Sequence, residues 1–429
     1  MADASPATEQ RHPAVLILAG TAILGVAGLV VLAAAAAVLG AADYAVFGAF
    51  WSALFFAVAI LFGGQQETTR AVTSGRTGST RLVVFAGTLA LAAVVVVTGT
   101  AVLWVGPAFG DGHGWLVAVV AVGCAGYAVN GVLAGALAGS AHWRAYAALL
   151  AVEGVVRTVL VLLALLAGSG VDLVGWAVAA AYPVAILAVG IPAWRGLRSH
   201  LTIEESLGRL WIRTGQTMAA AAAVAALVNG FPLLMSLASR GTPADELGAL
   251  TLAVMLTRAP LLVPLMALQS FLITLYAEGS PWRKIAWFLA SAAVASALLG
   301  AVAAVIGPSV LDSAFGPDFV LEGHVLGLLV LSSGGLGAMC MVSPAVIVRG
   351  MQKSNAIGWL LAAALAVLTL ALAPGSLEAR VPAALLVGPA VGLLWLLLAL
   401  GRDGSRAVGS RGEQVHYARD HKSTAEGSS

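Results

Sequence analysis

Long apolar runs separated by short polar segments make up most of the chain between residues 13 and 400. An α-helix rises about 1.5 Å per residue and the hydrocarbon core of a bilayer is about 30 Å thick, so about 20 apolar residues can cross it. By this length we predict an all-α integral membrane protein with about twelve transmembrane helices. The predicted spans are 13–39, 44–64, 82–106, 115–139, 146–168, 172–194, 214–238, 247–276, 284–306, 323–348, 355–373 and 381–400.

The composition supports a protein embedded in a membrane. Hydrophobic residues make up 60% of the chain and charged residues only 10%, whereas soluble domains have about 25% charged residues. The net charge of +2 gives no extended basic surface for a nucleic acid. The first apolar run is longer than the core of a signal peptide. We therefore expect a multi-pass protein of the plasma (inner) membrane.

The positions of lysine and arginine predict the orientation. Basic residues are retained on the cytoplasmic side of a membrane, and along this chain they are concentrated in alternate loops. Only Arg240 and Arg380 fall in predicted outer loops, whereas most of the 22 basic residues fall in predicted inner ones. Both termini are therefore expected in the cytoplasm.

Two loops resemble each other in the two halves of the chain. The segments "GPAFGD" (106–111) and "GPSVLDSAFGPD" (307–318) each lie between the third and fourth predicted span of their half. Parallel repeats of this kind place a substrate site between the halves, near the middle of the bilayer. The predicted organisation is a cytoplasmic N-terminal segment 1–12, a first six-helix lobe 13–200, a cytoplasmic linker 201–213, a second six-helix lobe 214–400 and a disordered cytoplasmic tail 401–429.

Sequence motifs of enzymes are not visible. The chain contains no HExxH, Walker loop or CxxC, and no Ser/His/Asp set stands out. Its two cysteines, Cys124 and Cys340, lie in apolar runs, where cysteine usually packs as a small hydrophobic residue. We therefore expect no enzymatic activity, no cofactor and no metal site.

Two segments resemble a known transporter family. The segment "GAADYAVFGAFWSALFFAVAILFGGQQETTRAV" (40–72) is similar to the first-to-second-span signature of polysaccharide flippases in the multidrug/oligosaccharidyl-lipid/polysaccharide exporter (MOP) superfamily. The segment "GYAVNGVLAGALAGSAHWRAYAALLAVEGVVR" (126–157) is similar to their fourth-to-fifth-span region, where a helix carries an internal Glu and Arg. The resemblance extends over most of residues 13–400.

This resemblance implies a MATE-like architecture, with two six-helix lobes in a V shape around a central cavity. It also implies movement of lipid-linked saccharides, of the O-antigen or teichoic type, across the membrane. The expected partners are a polyprenyl pyrophosphate-linked saccharide, membrane lipids and the glycosyltransferases or polymerase of the same pathway. Lipid II flippases of the superfamily typically have fourteen spans, so the twelve predicted here argue against the peptidoglycan precursor as substrate.

Glu153 and Arg157 are two charged residues inside one predicted span. Their i,i+4 spacing places them on one helix face, where they can form an ion pair. Arg157 is about 16 Å from the inner end of the span at Tyr146, close to the middle of the bilayer. A charge at that depth costs at least about 2.5–3.5 kcal/mol, so it faces protein or a wet cavity. The pair is either a structural element that fixes helix packing or part of a substrate site.

Arg258 lies at a similar depth in the eighth predicted span and has no visible partner in its own helix. Gln269 lies on the same face of that helix. Pro260 and Pro264 interrupt the helical hydrogen bonds just beyond Arg258, which predicts either a hinge or a static kink. The predicted cavity residues are Arg258, Arg157, Glu153, Gln269 and Asn130.

Arginine suits the expected ligand chemistry. Its planar guanidinium matches phosphate oxygens and stays protonated, which fits a pyrophosphate-linked head group. At the inner end of the second span, Gln66, Glu67 and Arg70 are candidates for a cytoplasmic entrance. A solvated helix end is the alternative explanation for these three residues.

Three classes of function remain open at this point. The first is a flippase or exporter of a lipid-linked oligosaccharide that works by alternating access. The second is a cation-coupled multidrug (MATE-like) antiporter, whose relatives often carry a carboxylate in the first or seventh span. Here neither span has one, and Glu153 is the only carboxylate deep in a predicted span. The third is a non-transporting membrane scaffold or a polymer ligase, and the short outer loops disfavour the ligase.

Overall fold

The computed structural model describes residues 11–76, 78–110, 112–239, 241–277 and 282–426, without the side chains of 11–14, 259–271, 273, 274, 277 and 403–426. Almost all of the described chain is helical. In the first half, the elements are α1 (Arg11–Thr73), β1 (Thr80–Arg81), α2 (Leu82–Phe109), α3 (Leu116–Gly139), α4 (Trp143–Leu166), α5 (Val171–Ala185), a π-helical turn (Ile186–Gly190), α6 (Ile191–Leu197), a 3-10 turn (Arg198–His200) and β2 (Thr202–Ile203). In the second half they are α7 (Leu207–Val228), α8 (Phe231–Ala238), α9 (Ala244–Ala277), α10 (Trp282–Phe315), a 3-10 turn (Pro317–Phe319), α11 (Gly323–Val348), α12 (Gln352–Leu372) and α13 (Leu377–Glu426).

The first helix is interrupted where the sequence predicts a boundary between two spans. Helix α1 contains 63 residues, and Gly40 inside it has the non-helical dihedral angles φ 75 and ψ 168. A straight helix of that length would measure about 95 Å, roughly three times the thickness of the hydrocarbon core. Glycine tolerates positive φ because it lacks a Cβ atom. The break therefore coincides with the gap between predicted spans 13–39 and 44–64.

The described residues contain nine helices long and apolar enough to cross a membrane, or up to ten if α7 and α8 form one span. Helices α7 and α8 are bent by 65° at their junction. Helix α9 overlaps the predicted span 247–276. The total of twelve spans and the cytoplasmic position of both termini stay predictions.

Helix α1 connects the two halves of the molecule. It packs on α3 and α4 of its own half and on α7, α8 and α9 of the second half. Within the second half, α11 packs on α9, α10 and α13, and α12 packs on α13. The junction between the halves is therefore formed by α1 on one side and by α7 to α9 on the other.

A short antiparallel ribbon is an exception to the predicted all-α fold. Thr80 pairs with Ile203 and Arg81 pairs with Thr202. The amide of Leu82 extends the ribbon by donating to the carbonyl of Leu201 at 2.9 Å. Two residues per strand leave no apolar alternation for a sequence pattern to reveal. The ribbon ties the predicted inter-lobe linker to the loop before α2.

The last helix is longer than expected. Helix α13 continues from the predicted span 381–400 to Glu426, whereas the sequence predicts a disordered tail over 401–429. No proline follows Pro389, and extending an existing helix requires no new nucleation. The disordered cytoplasmic tail over 401–429 stays a prediction.

Helix α9 approaches α1 so closely at Gly248 that we expect substitution there to destabilise the protein. A Cβ atom added at Gly248 would meet the carbonyl oxygen of Ala41. Forcing extra volume into a packed contact costs typically about 1–3 kcal/mol. Gly248→Ala should therefore lower the midpoint of thermal unfolding of the purified protein in detergent by several degrees.

Gly87→Ala is the matched control, because nothing lies within 4 Å of a Cβ atom added at that helical glycine. It should leave the unfolding midpoint unchanged or slightly raised, since alanine is a better helix former than glycine. Equal midpoints for the two variants would contradict the close packing of α9 on α1.

Candidate functional site

The first half contains a buried charged cluster built on α3 and α4. Glu153 and Arg157 are only 4% and 2% exposed. The Nη2 atom of Arg157 donates to Oε1 of Glu153 at 2.5 Å, and Nδ2 of Asn130 donates to Oε2 of the same carboxylate at 2.8 Å. Both carboxylate oxygens are therefore bonded inside the protein.

Aromatic rings from two further helices cover the guanidinium of Arg157. Its Cζ atom lies 5.2 Å from the ring centroid of Phe55 in α1 and 5.2 Å from that of Tyr182 in α5. A cation over an aromatic face is stabilised by about 2 kcal/mol or more when both groups are desolvated. The cluster consequently joins α1, α3, α4 and α5 inside the first half.

Arg258 has a different environment in the second half. It is 5% exposed, and its Nη1 atom donates to the carbonyl of Leu227 at 2.7 Å. Its Cζ atom lies 4.9 Å from the ring centroid of Phe231. Both partners are neutral, and no ion pair of Arg258 occurs among the residues that the structure describes.

The break between α7 and α8 accounts for this environment. Leu227 lies in the last turn of α7, where the carbonyl groups have no partner within the helix, and Phe231 is the first residue of α8. Arg258 thus binds a carbonyl group freed by the end of α7. In transporters, the ends of interrupted helices near the bilayer middle commonly contact the substrate or the coupling ion.

A serine from the first half stabilises the same break. The hydroxyl of Ser52 in α1 donates to the carbonyl of Asn229 at 2.5 Å and accepts from the amide of Leu233 at 3.1 Å. Ser52 is completely buried. The α7–α8 break and its Arg258 partner therefore lie at the junction of the two halves.

The residues that the sequence predicts for one cavity have different partners in the structure, and their cavity role stays a prediction. Arg157, Glu153 and Asn130 are together in the first half, whereas Arg258 contacts the α7–α8 break. The side chains of Gln269, Pro260 and Pro264 lie outside the described residues, so their roles as cavity and hinge residues stay predictions. The sequence does not single out Phe55, Tyr182 or Ser52 as partners of the charged cluster or of the helix break, because these residue types are ordinary in a membrane-spanning helix.

Two of the candidate entrance residues, Glu67 and Arg70, take part in an ion-pair network between the C-terminal end of α1 and the N-terminal end of α7, the side predicted to be cytoplasmic. Arg70 bonds Glu67 and Glu205, each at 2.7 Å. The Nε atom of Arg213 lies 3.1 Å from the other Glu205 oxygen, and Thr217 donates to Glu67 at 2.9 Å. We call these five residues the inner clasp. Gln66 is exposed, and the role of Gln66, Glu67 and Arg70 as an entrance stays a prediction.

The inner clasp joins the two halves, because Glu67 and Arg70 belong to α1, Glu205 to the linker and Arg213 and Thr217 to α7. We expect Glu205→Gln to loosen this junction with little loss of folding free energy, since exposed ion pairs contribute only about 0–1 kcal/mol each. The distance between spin labels at Thr73 and Arg209 should shift to longer values in the purified variant.

Glu204→Gln is the matched control for this experiment. Glu204 is the neighbouring residue, and its contact with Arg76 is 3.4 Å long and mostly exposed. It should leave the distance distribution unchanged. Identical distributions for Glu205→Gln and the unaltered protein would contradict the clasp.

Comparison with solved structures shows which fold the chain has. An inward-facing MATE family multidrug resistance transporter of the MOP superfamily superimposes with a TM-score of 0.68 at 15% identity, covering 91% of this chain and 98% of that chain. The lipid II flippase MurJ in an inward closed conformation gives a TM-score of 0.66 at 10% identity, covering 90% and 87%. The eukaryotic MATE transporter AtDTX14 gives a TM-score of 0.62 at 16% identity, covering 91% and 93%. The predicted MATE-like fold is thereby confirmed.

Sequence comparison adds relatives of higher identity. No family model matches the chain. The uncharacterized protein Rv1510 of Mycobacterium tuberculosis is 34% identical over 366 residues, which is 82% of this chain and 83% of that protein. The uncharacterized protein Rv3630 of the same organism is 33% identical over 370 residues, 82% of this chain and 84% of that protein. The chain therefore belongs to the family of Rv1510 and Rv3630, and it is a multi-pass protein of the plasma membrane with the fold of the MOP superfamily.

Proposed function

We propose that this protein is a membrane transporter that moves an anionic lipid-linked oligosaccharide or polysaccharide precursor across the plasma membrane by alternating access of its two halves. The observation that carries this proposal is Arg258. It is a buried cation with neutral partners at the junction of the halves, beside an interrupted helix. No acidic side chain pairs with Arg258 among the described residues, so an anionic ligand would supply an opposite charge there.

The energetics of Arg258 favour an anionic ligand. A buried charge loses several kcal/mol of solvation, and a carbonyl group and an aromatic ring return only part of it. A phosphate group would supply the missing opposite charge and could accept two parallel hydrogen bonds from the guanidinium. Because one arginine neutralises a pyrophosphate only in part, the ligand can also be released.

The arrangement of Glu153 disfavours the alternative of a cation-coupled multidrug antiporter. Among the described residues, Glu153 is the one buried carboxylate, and its oxygens are bonded to Arg157 and Asn130. A carboxylate that already holds a permanent cation is a poor site for a coupling proton or sodium ion. We also propose that glycosyltransferases or a polymerase of the same pathway are partners of the protein.

Reconstitution into lipid vesicles tests the proposal against the antiporter. The purified protein should accelerate the transbilayer movement of a fluorescent polyprenyl pyrophosphate-linked oligosaccharide, measured by its exposure to a membrane-impermeant quencher. It should not accumulate a fluorescent organic cation when a proton gradient is imposed. Vesicles without protein set the background rate. Gradient-driven accumulation of the cation without movement of the glycolipid would support the antiporter instead.

A further inference from the structure

A lipid-facing groove opens on the first half of the protein, between α2, α3 and the α5–α6 segment. Its volume is about 410 Å³, which falls in the range of about 300–1,000 Å³ found for ligand sites. Apolar side chains line it, including Ala86 of α2, Val132 and Ala136 of α3 and Ile191 of α6. The groove runs from the middle of α3 to Leu201, at the end of the molecule that is predicted to be cytoplasmic.

The local backbone keeps the groove open. The five-residue π-helical turn Ile186–Gly190 interrupts the α-helix on one wall, and Gly190 faces Leu133 with no side chain of its own. Leu187, Ile191 and Trp194 are exposed at the edge toward the bilayer. Because both the walls and the edge are apolar, a hydrocarbon chain is the occupant that the membrane can supply.

Three arginines are sequence neighbours of residues that line the groove at its end near Leu201. Arg81 immediately precedes the lining residue Leu82 in the sequence. Arg195 and Arg198 immediately follow the lining residues Trp194 and Leu197. All three arginines are exposed, and their side chains make no hydrogen bond or ion pair within the described ranges. By contrast, Arg70 and Arg213 of the inner clasp are both paired with glutamates.

We infer that the groove and its basic rim form a binding site for one anionic phospholipid of the cytoplasmic leaflet. One acyl chain occupies the groove, and the phosphate contacts Arg195, Arg198 and Arg81. The cytoplasmic leaflet is enriched in anionic lipids, and each arginine near its surface strengthens their binding. Trp194, at the junction of groove and rim, lies where aromatic residues mark the interface between lipid and water. This site is separate from Arg258 and does not depend on the transported substrate.

Native mass spectrometry of the purified full-length protein tests the site. The protein should retain one phosphatidylglycerol in preference to phosphatidylcholine with the same acyl chains. Arg195→Gln combined with Arg198→Gln should weaken phosphatidylglycerol binding by roughly tenfold or more. The control replaces with glutamine two exposed arginines that are not sequence neighbours of a lining residue, Arg209 and Arg283, and should leave binding unchanged.

A second pair of variants tests the groove itself. Val83 lines the groove and is 58% exposed, and Val95 is also 58% exposed on the same helix but is not part of the lining. Val83→Trp should reduce phosphatidylglycerol binding at least tenfold, whereas Val95→Trp should have no effect. Equal retention of the two phospholipids, an unaltered affinity in Val83→Trp, or retention of polyprenyl phosphate instead of phosphatidylglycerol would each overturn the inference.

Discussion

Replacing Arg258 with glutamine should reduce the transport of a polyprenyl pyrophosphate-linked oligosaccharide by about a hundredfold. The guanidinium is a buried cation at the junction of the halves, and its partners among the described residues, Leu227 and Phe231, are neutral. Loss of one charge-assisted contact to a phosphate in a desolvated site costs about 2–3 kcal/mol, and every 1.4 kcal/mol is about a factor of ten. The rate of glycolipid movement in vesicles measures the effect.

The fold of the Arg258→Gln variant should remain intact. Its amide group can still donate a hydrogen bond to the carbonyl of Leu227, and the substitution removes a buried charge for which the described residues provide no opposite charge, which relieves a solvation cost. The midpoint of thermal unfolding should therefore be unchanged or higher. Arg258→Lys keeps the charge without the planar fork and should give an intermediate rate. Full transport in Arg258→Gln would contradict the assignment.

Breaking the Glu153–Arg157 pair should have the largest effect on stability. Glu153→Gln and Arg157→Met each leave one buried charge without its partner, and this typically costs about 3–5 kcal/mol. The double variant removes both charges and should recover most of that loss. Unfolding midpoints in detergent for the four proteins form a double-mutant cycle that isolates the coupling between the two residues.

The same cycle separates the structural role of the pair from a role in transport. If the pair only fixes the packing of α1, α3, α4 and α5, the double variant should fold and move the glycolipid at a rate close to that of the unaltered protein. Single variants as stable as the unaltered protein would show that the pair does not fix the packing. A stable double variant without transport would place Arg157 or Glu153 in the substrate path.

Some features of the structure are predictable from the sequence for a physical reason. In lipid, each spanning helix has to satisfy its own backbone hydrogen bonds. The length of an apolar run and the position of a glycine between two runs therefore predict where a span begins and ends. That is why the break at Gly40 coincides with a predicted boundary and why the spacing of Glu153 and Arg157 predicts their contact. These features depend only on residues close together in the sequence.

Other features depend on residues far apart along the chain. The contact of Ser52 with Asn229 and Leu233, and the bond between Arg70 and Glu205, join segments that no local period connects. The sequence predicts one continuous span over 214–238, whereas the structure has a 65° bend between α7 and α8, because an Asn-Gly pair inside an apolar run is a weak signal. The depth of Arg258 in its predicted span marks it as unusual, but its carbonyl partner is visible only in the structure.

Helices α1 and α7 contribute residues both to the inner clasp and to the contacts at the α7–α8 break. Glu67 and Arg70 tie the inner end of α1 to the linker and α7, while Ser52 on α1 bonds the residues of the break. Relative movement of the halves would have to change both sets of contacts. This arrangement is the physical basis for expecting that opening at the inner end and exposure of Arg258 are coupled.

The most direct test of the proposed substrate contact is the selectivity of transport for a pyrophosphate group. Two fluorescent glycolipids with the same polyprenyl chain and oligosaccharide are compared in vesicles, one with a pyrophosphate linkage and one with a neutral linkage. The protein should move the pyrophosphate glycolipid at least tenfold faster, and Arg258→Gln should reduce this ratio to near one. Equal rates for the two glycolipids in the unaltered protein, or the same preference in Arg258→Gln, would contradict recognition of the phosphate by Arg258.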